Sequence, residues 1–176
     1  MSRRRVDLAC RWTPPTPGSF KINFDNGQLR GGGSGFGGII RDDRGACIGW
    51  MAHRSAVRLS PEHGEYMAAR LMMEFAVGMQ LQHVTLEGDC LTLIRTLNHP
   101  STMSDSSLGT ILQDILNLTS YFLSFQAIHT PRCNNRVALA FAKIGYFSRF
   151  GYDNVYLPGN VIPLLYADIL RTVSKK

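Results

Sequence analysis

Apolar and polar residues alternate along Phe20-Lys21-Ile22-Asn23-Phe24-Asp25, the period of a half-buried strand. The pattern predicts a strand over 20–25 and sets Asp25 on its polar side, at its end, ahead of a turn opened by Asn26-Gly27. Residues 37–41 and 46–52, joined by Asp42-Asp43-Arg44-Gly45, read as an antiparallel hairpin. Residues 61–81 carry the strongest helical pattern. Ser60 suits the N-cap, Pro61 the first turn, and Glu62 the positive end of the dipole. Glu65, Ala68, Ala69, Met72 and Ala76 recur on one face, so Glu65 sits on the small and apolar side, where an unpaired carboxylate is costly. A short strand from 83 leads into the acidic exit Glu87-Gly88-Asp89. Helices over 90–97 and 108–120, a last strand over 123–129 and a helix over 135–147 complete the pattern. The order predicts an α/β domain. Its mixed five-stranded sheet joins a three-strand antiparallel meander to two further strands, with helices on its flanks.

The length of 176 residues suits one domain with a real core. It divides into a basic flexible arm (1–11), the patterned domain (12–148) and a proline-containing tail (149–176). An amphipathic stretch over 164–173 of that tail could dock on the domain or bind a protein partner. The net charge of +6 permits a polyanionic partner without requiring one. Arg3, Arg4, Arg5, Lys175 and Lys176 carry part of the excess at the chain ends. No apolar run reaches membrane-spanning length, and no apolar segment follows the basic N-terminus, so neither a membrane span nor a signal peptide is expected. Cysteines 10, 47, 90 and 133 are too far apart for a zinc pair. The expectation is free thiols in a reducing, intracellular compartment, nucleus or cytoplasm, not a secreted protein.

Three acids fall where strands end or a helix begins: Asp25, Glu65 and Asp89. A late histidine, His129, follows the last strand. Acids on rigid elements facing an open mouth can hold a cation. Each also has a plain structural reading: a turn-opening Asp, a rim Glu, an N-cap Asp and a histidine capping loop backbone. The formal G-x-G-x-x-G at Gly33, Gly35 and Gly38 leads into the strand-like Ile39-Ile40-Arg41 instead of a helix. It is therefore read as a loop that lets backbone or ligand approach closely, not as a dinucleotide site.

The chain resembles the type-1 ribonuclease H family, and more narrowly the plant reverse-transcriptase-like domains derived from non-LTR retroelements. The likeness lies in Trp12-x-Pro14-Pro15, Lys21-Ile-Asn-Phe-Asp25, Gly37-Gly-Ile-Ile-Arg-Asp42-x-x-Gly45, Glu65-Tyr-Met-Ala68-Ala69, Glu87-Gly-Asp89-Cys90 and His129-x-x-Arg132-x-x-Asn135-Arg-Val-Ala138. It implies a ribonuclease H-like fold and hydrolysis of the RNA strand of RNA–DNA hybrids. It also implies two divalent cations, Mg2+ or Mn2+, on Asp25, Glu65 and Asp89, with His129 assisting proton transfer or product release. One departure stands out. The family's fourth acid follows Asn-x-x-Ala, and here that position is Leu139, which cannot ligate a cation. The second ion should then bind more weakly, unless Asp153 or Asp168 of the tail substitutes. The alternative is a catalytically inactive nucleic-acid-binding or protein-interaction module.

Overall fold

The computed structural model describes residues 10–100, 107–144, 148–153 and 156–173. Its strands are β1 (Phe20–Gln28), β2 (Ser34–Arg41), β3 (Cys47–Ser55), β4 (His83–Gly88), β5 (Ser124–His129) and β6 (Ser148–Tyr152). Its helices are α1 (Pro61–Gly78), α2 (Leu91–Asn98), α3 (Ser107–Thr119), α4 (Arg136–Ala142) and α5 (Ile162–Val173), with a 3-10 turn at Arg132–Asn134. The strands form one sheet in the order β5-β4-β1-β2-β3-β6. β1, β2, β3 and β6 pair antiparallel, whereas β4 joins β1, and β5 joins β4, in parallel.

The sheet has six strands, not five. The sixth comes from the tail, where the short run around Phe150 is too brief to show a period. It is held by register against β3, with Met51 opposite Phe150 and Trp50 opposite Gly151. The tail helix α5 lies on the domain through Leu165, which is buried with Val161 against Trp50, Val137 and Phe141. Residues 1–9 of the predicted arm lie outside the described residues. Cys10 and Arg11 are docked, the Arg11 guanidinium donating to the Thr172 carbonyl at 2.7 Å.

The cysteine expectation needs correction. Cys10 and Cys133 form a disulfide across 123 positions of sequence, while Cys47 and Cys90 remain thiols. Spacing alone cannot register this pairing, because the chain returns over the whole domain before the two residues meet.

Hydrophobic cores lie on both faces of the sheet. Ile22, Phe24, Phe36, Ile40 and Met51 point toward α1, α2 and α3, and meet Met72, Leu93 and Ile115. On the other face Ile39 and Trp50 meet α4 and α5, with the Trp50 and Phe141 rings stacked at 5.2 Å. β1 lies in the middle, so its alternation does not separate core from water. Lys21, Asn23 and Asp25 are as buried as Ile22 and Phe24.

That second face holds a buried polar network. The Lys21 ammonium pairs with Glu87 at 2.7 Å and Arg41 with Asp168 at 2.9 Å. Arg41 also donates to Asn23 Oδ1 at 2.8 Å and stacks on Trp12, whose indole N–H donates to the same oxygen. Charges this deep persist only where each has a partner.

Candidate active site

Asp25 lies inside β1 and not at its end, since the strand runs on to Gln28. Glu65 stands in the second turn of α1. The helix begins as its sequence requires, with the Ser60 hydroxyl accepting from the His63 N–H and Pro61 in the first turn. Asp89 follows the last residue of β4. The N-cap of α2 is the next residue, Cys90, so Asp89 is not that cap. These three elements converge: one carboxylate oxygen from each of Asp25, Glu65 and Asp89 lies within 4.8 Å of the others.

The convergence depends on close approach of α1 to β1. A Cβ on Gly64 would come within 2.5 Å of Asn26 Oδ1, so only glycine lets Asn26 sit under the helix. From there the Asn26 amide donates to Glu65 Oε1 at 2.6 Å and to the Pro61 carbonyl at 3.1 Å, while its backbone N–H donates to Asp25 Oδ1. On the other side the Asn135 amide donates to Asp25 Oδ2 at 3.3 Å and to the Phe24 carbonyl at 2.7 Å. Two asparagines thus orient two of the three acids. Asn135 was visible in the sequence as part of a motif. The part played by Asn26 was not, because it depends on a glycine 38 positions away.

No cation among the described residues forms a salt bridge with the cluster, and its electrostatics follow from that. Burial, then the negative charge of Asp89, raises the Asp25 carboxyl to about 7. Burial, then Asp25 and Asp89, raises Glu65 to about 9. Arg132 and the bonds from Asn26 only partly oppose these effects. In the acid state a proton joins Glu65 to Asp25; with both ionised, the buried Glu65 Oε2 faces no donor. Three acceptors converging on one point, one of them without a donor, match the oxygen donor set of a hard divalent cation.

His129 ends β5 and is exposed. It stands in register with Gly88, the residue before Asp89, and so flanks the cluster on its β4 side. Leu139 stands four residues from Asn135 and four from Lys143, so all three share one row of α4. Asn135 touches Asp25, and the Lys143 stem lies over Gly27, where a Cβ would be 3.3 Å away. Leu139 therefore lies between them, beside the acids. Neither tail acid replaces it. Asp168 is held by Arg41, and Asp153 follows β6, with its N–H bonded to Ile48 at the opposite end of the hairpin.

Comparison with known proteins agrees with this geometry. RNase H1 of the archaeon Halobacterium salinarum NRC-1 matches with a TM-score of 0.64 at 22% identity, over 70% of this chain and 94% of that one. The N-terminal RNase H domain of rv2228c from Mycobacterium tuberculosis gives 0.64 at 19%, over 70% and 90%. LC11-RNase H1 in complex with RNA/DNA hybrid gives 0.58 at 18%, over 70% and 93%. The shared architecture is the ribonuclease H-like fold. No curated protein sequence matches the chain. The family model described as Reverse transcriptase-like matches residues 23–145, which include all three acids and His129, and the chain belongs to that family.

Proposed function

We propose that this chain is a metal-dependent endonuclease of the ribonuclease H type, acting on the RNA strand of RNA–DNA hybrids. The observation that carries the reading is the convergence of Asp25, Glu65 and Asp89 from three separate elements of a ribonuclease H-like sheet. Asp25, Glu65 and Asp89 would hold Mg2+ or Mn2+. When bound, such ions would supply Lewis acidity to water and to the leaving oxygen of a phosphodiester. The chain's own residues set the geometry. Asn26 and Asn135 fix the direction of the ligand oxygens. His129, exposed at the end of β5, is placed to exchange a proton with solvent or with the departing group. Recognition would rest on backbone shape and 2′-hydroxyls more than on base sequence. The LC11-RNase H1 structure, in complex with RNA/DNA hybrid, is one relative in which such a substrate is seen. The motif wording points further, to the plant non-LTR retroelement branch.

Leu139 supports a second reading. It occupies the row of α4 facing the acids, so a second ion has one ligand fewer. The chain would then be a disarmed nucleic-acid-binding descendant. Cleavage of a labelled hybrid in Mg2+ and in Mn2+ decides between the two, using the native chain, Asp25→Asn and Leu139→Asp. Cleavage by the native chain that Asp25→Asn abolishes establishes the nuclease. No cleavage by the native chain, with activity gained in Leu139→Asp, establishes the disarmed scaffold.

A further inference from the structure

Asn23 stands two residues before Asp25 on β1, and so on the same side of the strand. Its side chain is walled off from water, the residue being 1% exposed. The Asn23 carbonyl oxygen accepts from the Arg41 guanidinium at 2.8 Å and from the Trp12 indole N–H at 3.1 Å. Both of those groups only donate, so Asn23 must turn its oxygen to them. Its NH2 group then faces the other way. There it donates to Glu87 Oε1 at 3.2 Å and to Asn135 Oδ1 at 3.3 Å. The Glu87 carboxylate, paired with Lys21, only accepts. Both ends of the Asn23 amide are therefore assigned by the chemistry of their partners.

The assignment passes on to Asn135, which is equally buried. Its oxygen accepts from Asn23, which leaves its NH2 group for β1. That group donates to the Phe24 carbonyl at 2.7 Å and to Asp25 Oδ2 at 3.3 Å. An Asn135 amide turned over would set a carbonyl against the carboxylate and bury acceptors face to face, with no donor between them. We propose that Asn23 is a positioning residue for Asp25: pinned by Arg41 and Trp12 at one end and by Glu87 at the other, it makes Asn135 present a donor to the carboxylate. The inference rests on the reading of Asp25, Glu65 and Asp89 as a cation site. It adds a layer behind that site which reaches the tail, since Arg41 is itself held by Asp168 of α5. The buried ion pairs then set the polarity of a hydrogen-bond relay that ends at the acid cluster.

Two readouts on the full chain test the proposal, and the first needs no cation. By NMR of the metal-free native chain, the Asn135 side-chain NH2 protons should exchange with water far more slowly than those of the exposed Asn160. In Asn23→Leu, neutral and of similar size, they should shift and exchange faster. Rapid exchange in the native chain would overturn the proposal, and that result stands even where Asn23→Leu does not fold. The second readout is affinity for Mg2+ and for Mn2+ by titration calorimetry. Asn23→Leu should weaken it about 10-fold. In an Asn135→Ala background the same substitution should cost nothing further, because both act through one contact. Ser34→Ala, which removes a buried hydroxyl that accepts from the Leu59 N–H, should leave affinity unchanged. Unchanged affinity in Asn23→Leu overturns the proposal. So does an equal loss with and without Asn135, or an equal loss in Ser34→Ala. If the native chain binds neither ion, the cation-site reading falls, and the Asn135 exchange rates alone decide the positioning.

Discussion

Two groups of acids flank one sheet and meet opposite fates. Glu87 and Asp168 each have a cation within 3 Å, Lys21 at 2.7 Å and Arg41 at 2.9 Å. Asp25, Glu65 and Asp89 face one another, with asparagines instead of cations as partners for Asp25 and Glu65. The first group is complete within the fold and joins the N-terminal Trp12 segment and α5 to the sheet. The second is complete only when something positive arrives. Asp25 is as buried as Glu87 and Asp168, so for it the difference lies in the partner, while Glu65 and Asp89 are half-buried beside it. The difference teaches that a buried carboxylate marks a site when its neighbours orient it without neutralising it.

The contrast can be broken at either end. In a chain that cuts hybrid, Asp25→Asn should lower the rate on the order of 10³-fold and leave metal-free stability equal or higher, because it removes a repelled carboxylate. Rate assays beside urea melts check both halves. Asp168→Ala should do the reverse to the fold. Removing one partner of a buried ion pair strands Arg41 and costs about 3–5 kcal/mol, read from the urea midpoint.

Acidity sharpens the contrast next. Asp25 and Glu65 are raised to about 7 and about 9, so the folded chain binds more protons than the unfolded chain above about pH 4. Metal-free stability should therefore fall as pH rises from about 5 until Glu65 has ionised near 9, most steeply below 7, where both carboxyls still hold their protons. The stabilisation conferred by Mg2+ should grow over the same window, because the ion replaces those protons. Thermal melts at several pH values, with Mg2+ or with chelator, would show the two trends diverging. A flat profile would mean the carboxyls ionise normally.

The disulfide ties the Trp12 lead-in to the loop carrying Arg132, next to both groups. Cys133→Ser should cost about 2–4 kcal/mol under non-reducing conditions, the usual worth of a long-loop crosslink. It should cost nothing once reductant is present. Smallest in free energy is Asn26→Ala, which leaves all three acids but frees Glu65 to turn. Loss of an orienting partner should weaken cation affinity about 10–100-fold, measured by titration calorimetry, with the urea midpoint little changed.

Much of this is legible in the sequence alone. The period of 20–25 gave β1, Ser60-Pro61 gave the start of α1, and the run from Val84 gave β4. Each acid could be assigned to an element because local periodicity and capping chemistry act over a few residues. Asp89 was placed correctly beyond β4, although the cap role fell to Cys90. Misreadings arose wherever a distant segment intervened. Asn26-Gly27 reads as a turn that ends the strand at Asp25, yet pairing with β2 carries it on to Gln28. The polar face of β1 reads as solvent-facing, but α4, Trp12 and α5 cover it.

By itself, then, the sequence determined the first five strands, the helices among them and their order, and set Asp25, Glu65 and Asp89 on those elements; through the resemblance it also marked Leu139 where that family carries a fourth acid. Only the tertiary structure decided that the acids meet within 4.8 Å, that Asp168 is committed to Arg41, that a sixth strand closes the sheet edge and that Cys10 reaches Cys133. The division is physical. Propensity and periodicity are properties of neighbours along the chain, whereas convergence, ion pairing and crosslinking are settled between residues tens to more than a hundred positions apart. Such pairs become neighbours only after the hydrophobic faces have packed.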